Sequence, residues 1–194
     1  MSCQKAVYQW TEEVTTHLPH LSKPQATVLA LWSVGRGLAR SGARSAVSAF
    51  WAVGLDRKAN TVRQQLREWW YEAQAKRGGP RQELEVATCF APLLGWILSW
   101  WESNQLALAV DATTLGQRFV GLVIRVVYRG CAIPVAWTVL PAIEHHAWRG
   151  EGLRMLRQVR AGVPRRFLVI VLADRGLSAR WLFQRIVRRG WHPL

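Results

Sequence analysis

The pattern of apolar and polar positions changes rhythm once along this chain. Through the first hundred residues apolar side chains recur every three to four positions, the repeat of helices with one buried stripe. Residues 25–40 carry Val28, Leu29, Leu31, Trp32 and Leu38 between Pro24 and Gly42 and predict one helix; residues 45–53 predict a shorter one, stopped by Gly54. After the turn 55–59, Asn60 and Thr61 offer a cap, with Gln64 as a capping-box partner three residues after Thr61. The helix predicted over 62–75 puts Val62, Leu66, Trp69 and Trp70 on one side and Arg63, Arg67 and Gln64 elsewhere. Helix, short turn and helix with exposed Arg is compatible with a DNA-reading helix-turn-helix, although such pairs are mostly plain helical packing. KRGGPR at 76–81 is linker-like, and a last helix of this half is predicted over 84–101. Its Trp96, Trp100 and Trp101 read as core aromatics rather than a base-stacking platform.

Near Ser103 and Asn104 the rhythm shifts to strands, and the domain boundary is placed there: 1–103 a helical region, 104–194 a second domain. LALAVDATTLG, at 106–116, runs five apolar residues into Asp111 and a polar turn. Strands follow at 119–128 and 131–140, joined by Arg129-Gly130 as in an antiparallel hairpin, and Pro134 marks the third strand as an edge. A helix over 149–161 crosses to FLVIVLADRG, at 167–176, where seven apolar residues deliver Asp174 into an Arg-Gly turn. This fourth strand is apolar throughout and is expected to be covered on both faces. Ser178 is expected to cap a final helix reaching Arg189. A right-handed crossover sets the fourth strand on the free side of the first, an order of 3-2-1-4 in a mixed α/β sheet.

Asp111 and Asp174 would then close neighbouring parallel strands, where open sheets carry their chemistry. Like charges in close approach are unfavourable unless a cation lies between them, and carboxylates with no His or Cys nearby suit Mg2+ or Mn2+ rather than zinc. The competing readings are an Asx-type turn with Thr113 for Asp111 and an Asp-x-Gly turn for Asp174.

Composition narrows the partner. The 194 residues are 50% hydrophobic, which supports a real core, and net charge is +14. Residues 104–194 carry 14 basic against 4 acidic side chains, and every one of those basic residues is Arg. Arg pairs bidentately with phosphate, so a polyanion is the leading partner. A membrane is disfavoured, because the most apolar run, 90–101, is about 12 residues where roughly 18 to 20 are needed to span. Cys3, Cys89 and Cys131 show no ligand spacing, which with the lack of a signal segment points to a reducing cytoplasm.

The strand order, with VDATTLG closing the first strand and LADRG followed by LSARWLFQRI closing the fourth, resembles the ribonuclease H-like core of DDE transposases from bacterial insertion sequences, in particular the large insertion-sequence-four group. The resemblance covers residues 104–194; the helical region is only loosely similar to the terminal-repeat-binding part of such enzymes. It implies DNA transposition by magnesium-dependent phosphoryl transfer, with Asp111 bridging two metal ions and Asp174 holding one. The implied partners are double-stranded DNA, both transposon ends and target, with a homodimer in the DNA complex. Arg63 and Arg67 in the helical region, and Arg149, Arg175 and Arg180 near the carboxylates, are the candidate DNA contacts, although Arg175 could equally pair with Asp174.

That family's third acid is a Glu on a helix beyond a fifth strand, and no acidic residue follows Asp174 here. The chain is therefore expected to be a fragment or truncated frame lacking the fifth strand, with an exposed outer edge on the fourth, and to cut DNA poorly by itself. Glu151 could complete an internal acidic set as in ribonuclease H; a solvated first-turn Glu is the plainer assignment. His145 and His146 are expected to face solvent. A non-catalytic, truncated DNA-binding regulator remains the alternative function, and a host ribonuclease H-like nuclease a third.

Overall fold

The computed structural model describes residues 3–69, 71–76, 83–142, 147–174, 177 and 179–194, the side chains of residues 73 and 147 excepted. They form two compact units, Met1–Glu85 and Val86–Leu194.

The first unit holds α1 (Cys3–His17), α2 (Lys23–Ala39), α3 (Arg44–Gly54) and α4 (Ala59–Glu68). Val7, Leu31, Val47, Trp51, Val62 and Leu66 make its core. Trp51 is fully buried, and its indole N–H donates to the Leu31 carbonyl at 2.7 Å, so the polar atom is satisfied where water cannot reach it. Gly35 permits this packing: a Cβ there would overlap Trp51 Nε1 and lie 2.6 Å from Val47 Cγ1.

Two helix boundaries differ from the sequence expectation. The chain reverses early, with Asp56 at φ 50°, so α4 starts at Ala59 with Lys58 as N-cap, and Asn60 and Thr61 fall inside its first turn. Gln64 Nε2 accordingly donates to Glu68 Oε1 at 2.8 Å instead of closing a capping box. The helix then ends at Glu68, whose carbonyl accepts from the Tyr71 N–H at 3.2 Å, and a 3-10 turn follows at Ala73–Ala75. The cap that does form lies upstream, where Ser22 N–H donates to Gln25 Oε1 at 2.8 Å at the start of α2.

The second unit opens with a 3-10 turn, Val86–Cys89, and α5 (Phe90–Ser99), then β1 (Gln105–Leu115), β2 (Phe119–Tyr128), β3 (Cys131–Pro141), α6 (Ala147–Gly162), β4 (Leu168–Ala173), α7 (Arg180–Val187) and β5 (His192–Pro193). The unit boundary precedes the change of rhythm at Ser103 because α5 belongs to the sheet's core. It approaches α6 so closely that a Cβ on Gly162 would overlap the Ala91 carbonyl oxygen. Ser178, the expected cap of α7, lies outside the described residues; Ala179 is the N-cap.

Sheet order is β3-β2-β1-β4-β5, with β2 antiparallel to both β1 and β3 and with β1, β4 and β5 parallel. This is a ribonuclease H-like arrangement behind a helical amino-terminal region. The fifth strand, expected to be missing, is begun by His192–Pro193 beside β4, with the Leu194 N–H donating to the Val171 carbonyl at 2.9 Å. Trp191, 4% exposed, anchors it in the core. The edge of β4 is thus partly covered rather than open.

Turn chemistry explains the hairpin. Arg129 and Gly130 both have positive φ, 48° and 80°, the two-residue turn whose twist matches the flanking strands. Pro134 sits on the edge strand opposite Arg125, where a register shift breaks the β2–β3 ladder.

Leu106, Leu108 and Val110, with Val169 and Val171, point into one core that Phe90, Leu94, Met155, Leu156, Leu182 and Ile186 cover. The opposite face is only half-covered: Ala107, Ala109, Ile170 and Leu172 are partly exposed and Leu168 is 43% exposed. The expectation that β4 is covered on both faces is therefore met on one. An unbroken apolar run reports two apolar faces, not what lies over them.

Candidate functional site

Asp111 and Asp174 meet at one end of the parallel ladder. The β1–β4 register closes at Val110↔Ala173, and each Asp is the next residue of its strand or its exit. Neighbouring strands lie about 4.8 Å apart, and alternation gives Asp111 the face opposite Val110. β4 ends at Ala173, and the Leu177 N–H donates back to the Asp174 carbonyl at 2.9 Å. β1 does not release there. It continues through Ala112, Thr113 and Thr114 to Leu115, paired with β2 down to Leu115↔Phe119. The expected turn after Asp111 is thus a strand, which β-branched Thr favours, and Asp111 stands where β1 loses its parallel neighbour.

Asp111 is not an isolated carboxylate. Arg125, on β2 opposite Ala109, reaches diagonally to Asp111, and its Nη1 lies 2.7 Å from Oδ2. The Thr113 hydroxyl donates to the same oxygen at 3.2 Å, a side-chain contact along one face of β1 in place of the expected Asx-type turn. The Arg125 hydrogen bond foremost, against the opposing effect of partial burial and with help from Thr113 and the Ala112 N–H, holds the Asp111 carboxyl below the usual carboxylate range. Asp174 is exposed.

The other predicted residues are scattered. Glu151, in α6, is ion-paired with Arg154 at 2.5 Å. Among the described residues no three His, Cys, Asp or Glu gather to hold a metal. Arg149 is exposed, with its guanidinium 5.7 Å from the centre of the Trp181 ring, and Arg180 is exposed at the start of α7. His145, His146 and Arg175 lie outside the described residues. In the first unit Arg63 is exposed on α4, whereas Arg67 is half-buried, with its guanidinium 5.6 Å from the Tyr71 ring centre and its Nε buried without a partner among the described residues.

Sequence reasoning missed Arg125, although a signal existed. It is the one charged residue in the otherwise apolar FVGLVIRVVY, and a cation at a half-buried strand position needs an anion beside it.

The carboxylate pair can be compared with known folds. The chain is similar to the Mos1 strand transfer complex (TM-score 0.30, 15% identity), to the Mos1 transposase paired-end complex with left transposon end (0.32, 16%) and to a pre-cleavage Mos1 transpososome (0.30, 14%). Each match covers 88% of this chain and 57%, 57% and 58% of the other, so the chain spans less than two thirds of the Mos1 chains. No protein-family model matches, and no curated protein matches in sequence. No helix among the described residues is long and apolar enough to cross a membrane.

Proposed function

We propose that this chain is a DDE-type transposase of the insertion-sequence-four group, or the front part of one, that binds transposon-end DNA and carries two acids of a metal-dependent strand-cleavage site. The observation that carries the reading is the pair Asp111 and Asp174, each one residue past the last rung of a parallel ladder.

The donor set fits a hard divalent ion: two carboxylates, oxygen ligands only, at one end of the parallel ladder. Asp111 and Asp174 would hold it, as Mg2+ or Mn2+, and bound there it would polarise a phosphodiester. The chain's own part is to position the polyanion. Arg149 and Arg180 supply phosphate donors at the carboxylate end of the sheet, Arg175, next to Asp174 in sequence, is a third candidate, and Arg63 and Arg67 are the candidates on α4. A homodimer on DNA and a cytoplasmic setting belong to the same reading.

A second reading, a DNA-binding regulator that does not cut, is favoured by the Arg125 ion pair, which already neutralises Asp111. Mn2+ titration calorimetry and nicking of a supercoiled duplex separate the two. The enzyme reading expects Mn2+ binding that Asp111→Asn and Asp174→Asn each weaken at least tenfold, with any nicking lost in both. Duplex binding with no Mn2+ site would sink it and leave the regulator. Loss of nicking on Glu151→Ala would instead mark a ribonuclease H-like acid set.

A further inference from the structure

Arg157 and Arg160 on α6, with Arg185 on α7 and Arg189 just past its end, form a cationic cluster that the carboxylate site does not use. Val159 and Ile186, buried at 0% and 1% exposure, fasten the two helices to the same core, and nearer the helix starts the Trp148 and Trp181 rings meet at 5.3 Å. Arg157 and Arg185 are exposed, and Arg160 and Arg189 are half-buried. The inner two are fixed by backbone: Arg160 Nη1 donates to the Val163 carbonyl at 3.0 Å and Arg189 Nη1 to the Arg185 carbonyl at 2.8 Å.

None of the four is ion-paired with a carboxylate among the described residues; Glu151, the acid on α6, is taken by Arg154. Partial burial first, then the charges of Arg185, Arg157 and Arg160, lower the pKa of the Arg189 guanidinium, so Arg189 lies within reach of the other three charges. One cation near each helix carboxyl end is stabilising, and Arg160 in α6 and Arg185 in α7 supply it. Further cations gathered beside these two add repulsion unless an anion joins them. Guanidinium forks match phosphate oxygens, and four of them on two helices suit a chain of phosphates better than a single ion.

We propose that the outer faces of α6 and α7 bind the phosphodiester backbone of duplex DNA through Arg157, Arg160, Arg185 and Arg189. The surface lies towards the end of the sheet away from Asp111, because α6 finishes where the chain enters β4 and Asp174 follows the exit from it. The inference rests on the nucleic-acid reading of the chain and not on metal chemistry.

The test is fluorescence anisotropy of the full chain with a random-sequence duplex in EDTA across a range of salt. Arg157→Gln with Arg185→Gln is expected to weaken binding and to make the slope of log K against log salt shallower by about 2, one unit for each phosphate no longer neutralised. Melting temperature should stay level or rise as repulsion is relieved. Arg157→Lys with Arg185→Lys should keep most of the slope. An unchanged slope in the Gln pair overturns the proposal. So does displacement of the duplex by low-millimolar inorganic phosphate from the parent but not from the Gln pair, which would mark a free-phosphate site. Because EDTA removes divalent ions, these outcomes are independent of whether Asp111 and Asp174 bind Mn2+.

Discussion

Arg125 Nη1 and Asp111 Oδ2 lie 2.7 Å apart across the β1–β2 ladder, so the carboxylate central to the candidate site already has a cation. A divalent ion would share Asp111 with Arg125 or displace it. Arg125→Gln should therefore tighten Mn2+ binding by roughly two- to fivefold, the size of a half-exposed ion pair worth about 0.5–1 kcal/mol. Calorimetric titration checks this, and weaker binding in the variant would show that Arg125 orients Asp111 rather than competing for it.

The same pair sets a pH dependence. The folded pKa of Asp111 lies below its unfolded value of about 3.9, so the stabilisation is complete above that pH and is lost as pH falls through the folded pKa. Asp111→Asn should flatten the acid limb of a melting-temperature profile below about pH 4 and leave the neutral limb parallel. Identical acid limbs would mean that the pair does not persist in solution.

Gly35 is a packing requirement of the helical unit. A methyl group there meets Trp51 Nε1 and Val47 Cγ1 well inside contact distance. Gly35→Ala should cost about 1–3 kcal/mol by overpacking, despite alanine's better helix propensity. Denaturant unfolding followed by tryptophan fluorescence measures it; a stabilised variant would contradict the close approach of α2 and α3.

Trp191 decides whether β5 stays on the sheet. Trp191→Ala should cost about 3–5 kcal/mol and release the His192–Pro193 pairing, exposing the outer edge of β4. Faster hydrogen exchange at the Leu194 and Ala173 amides, which bond across that edge, is the expected signature.

Local signals carried much of the fold. Arg129-Gly130 specified its turn because the two-residue hairpin needs positive φ at both positions, and Pro134 specified an edge because it cannot donate to a ladder. The strands of the second unit were legible within one or two residues at most ends, save where β1 runs on past Asp111. Helix ends in the first unit were less legible, because α4 begins where the backbone reverses at Asp56 rather than at the better capping residues. Helix α1 was not singled out: its buried stripe is only Val7 and Val14, too sparse to stand out among polar neighbours.

Chain order and apolar spacing were enough to bring Asp111 and Asp174 to the same end of one ladder, because a right-handed crossover leaves β4 one place to go. They could not reveal that Arg125 holds Asp111, a contact made across strands fourteen residues apart by a side chain that looked like an interruption in β2. Nor could they gather Arg157, Arg160, Arg185 and Arg189, which become neighbours only when α6 and α7 settle over one core. Periodicity states which face of an element is apolar; which charges meet is decided by how the elements pack, since charge pairs act over distances shorter than the elements themselves.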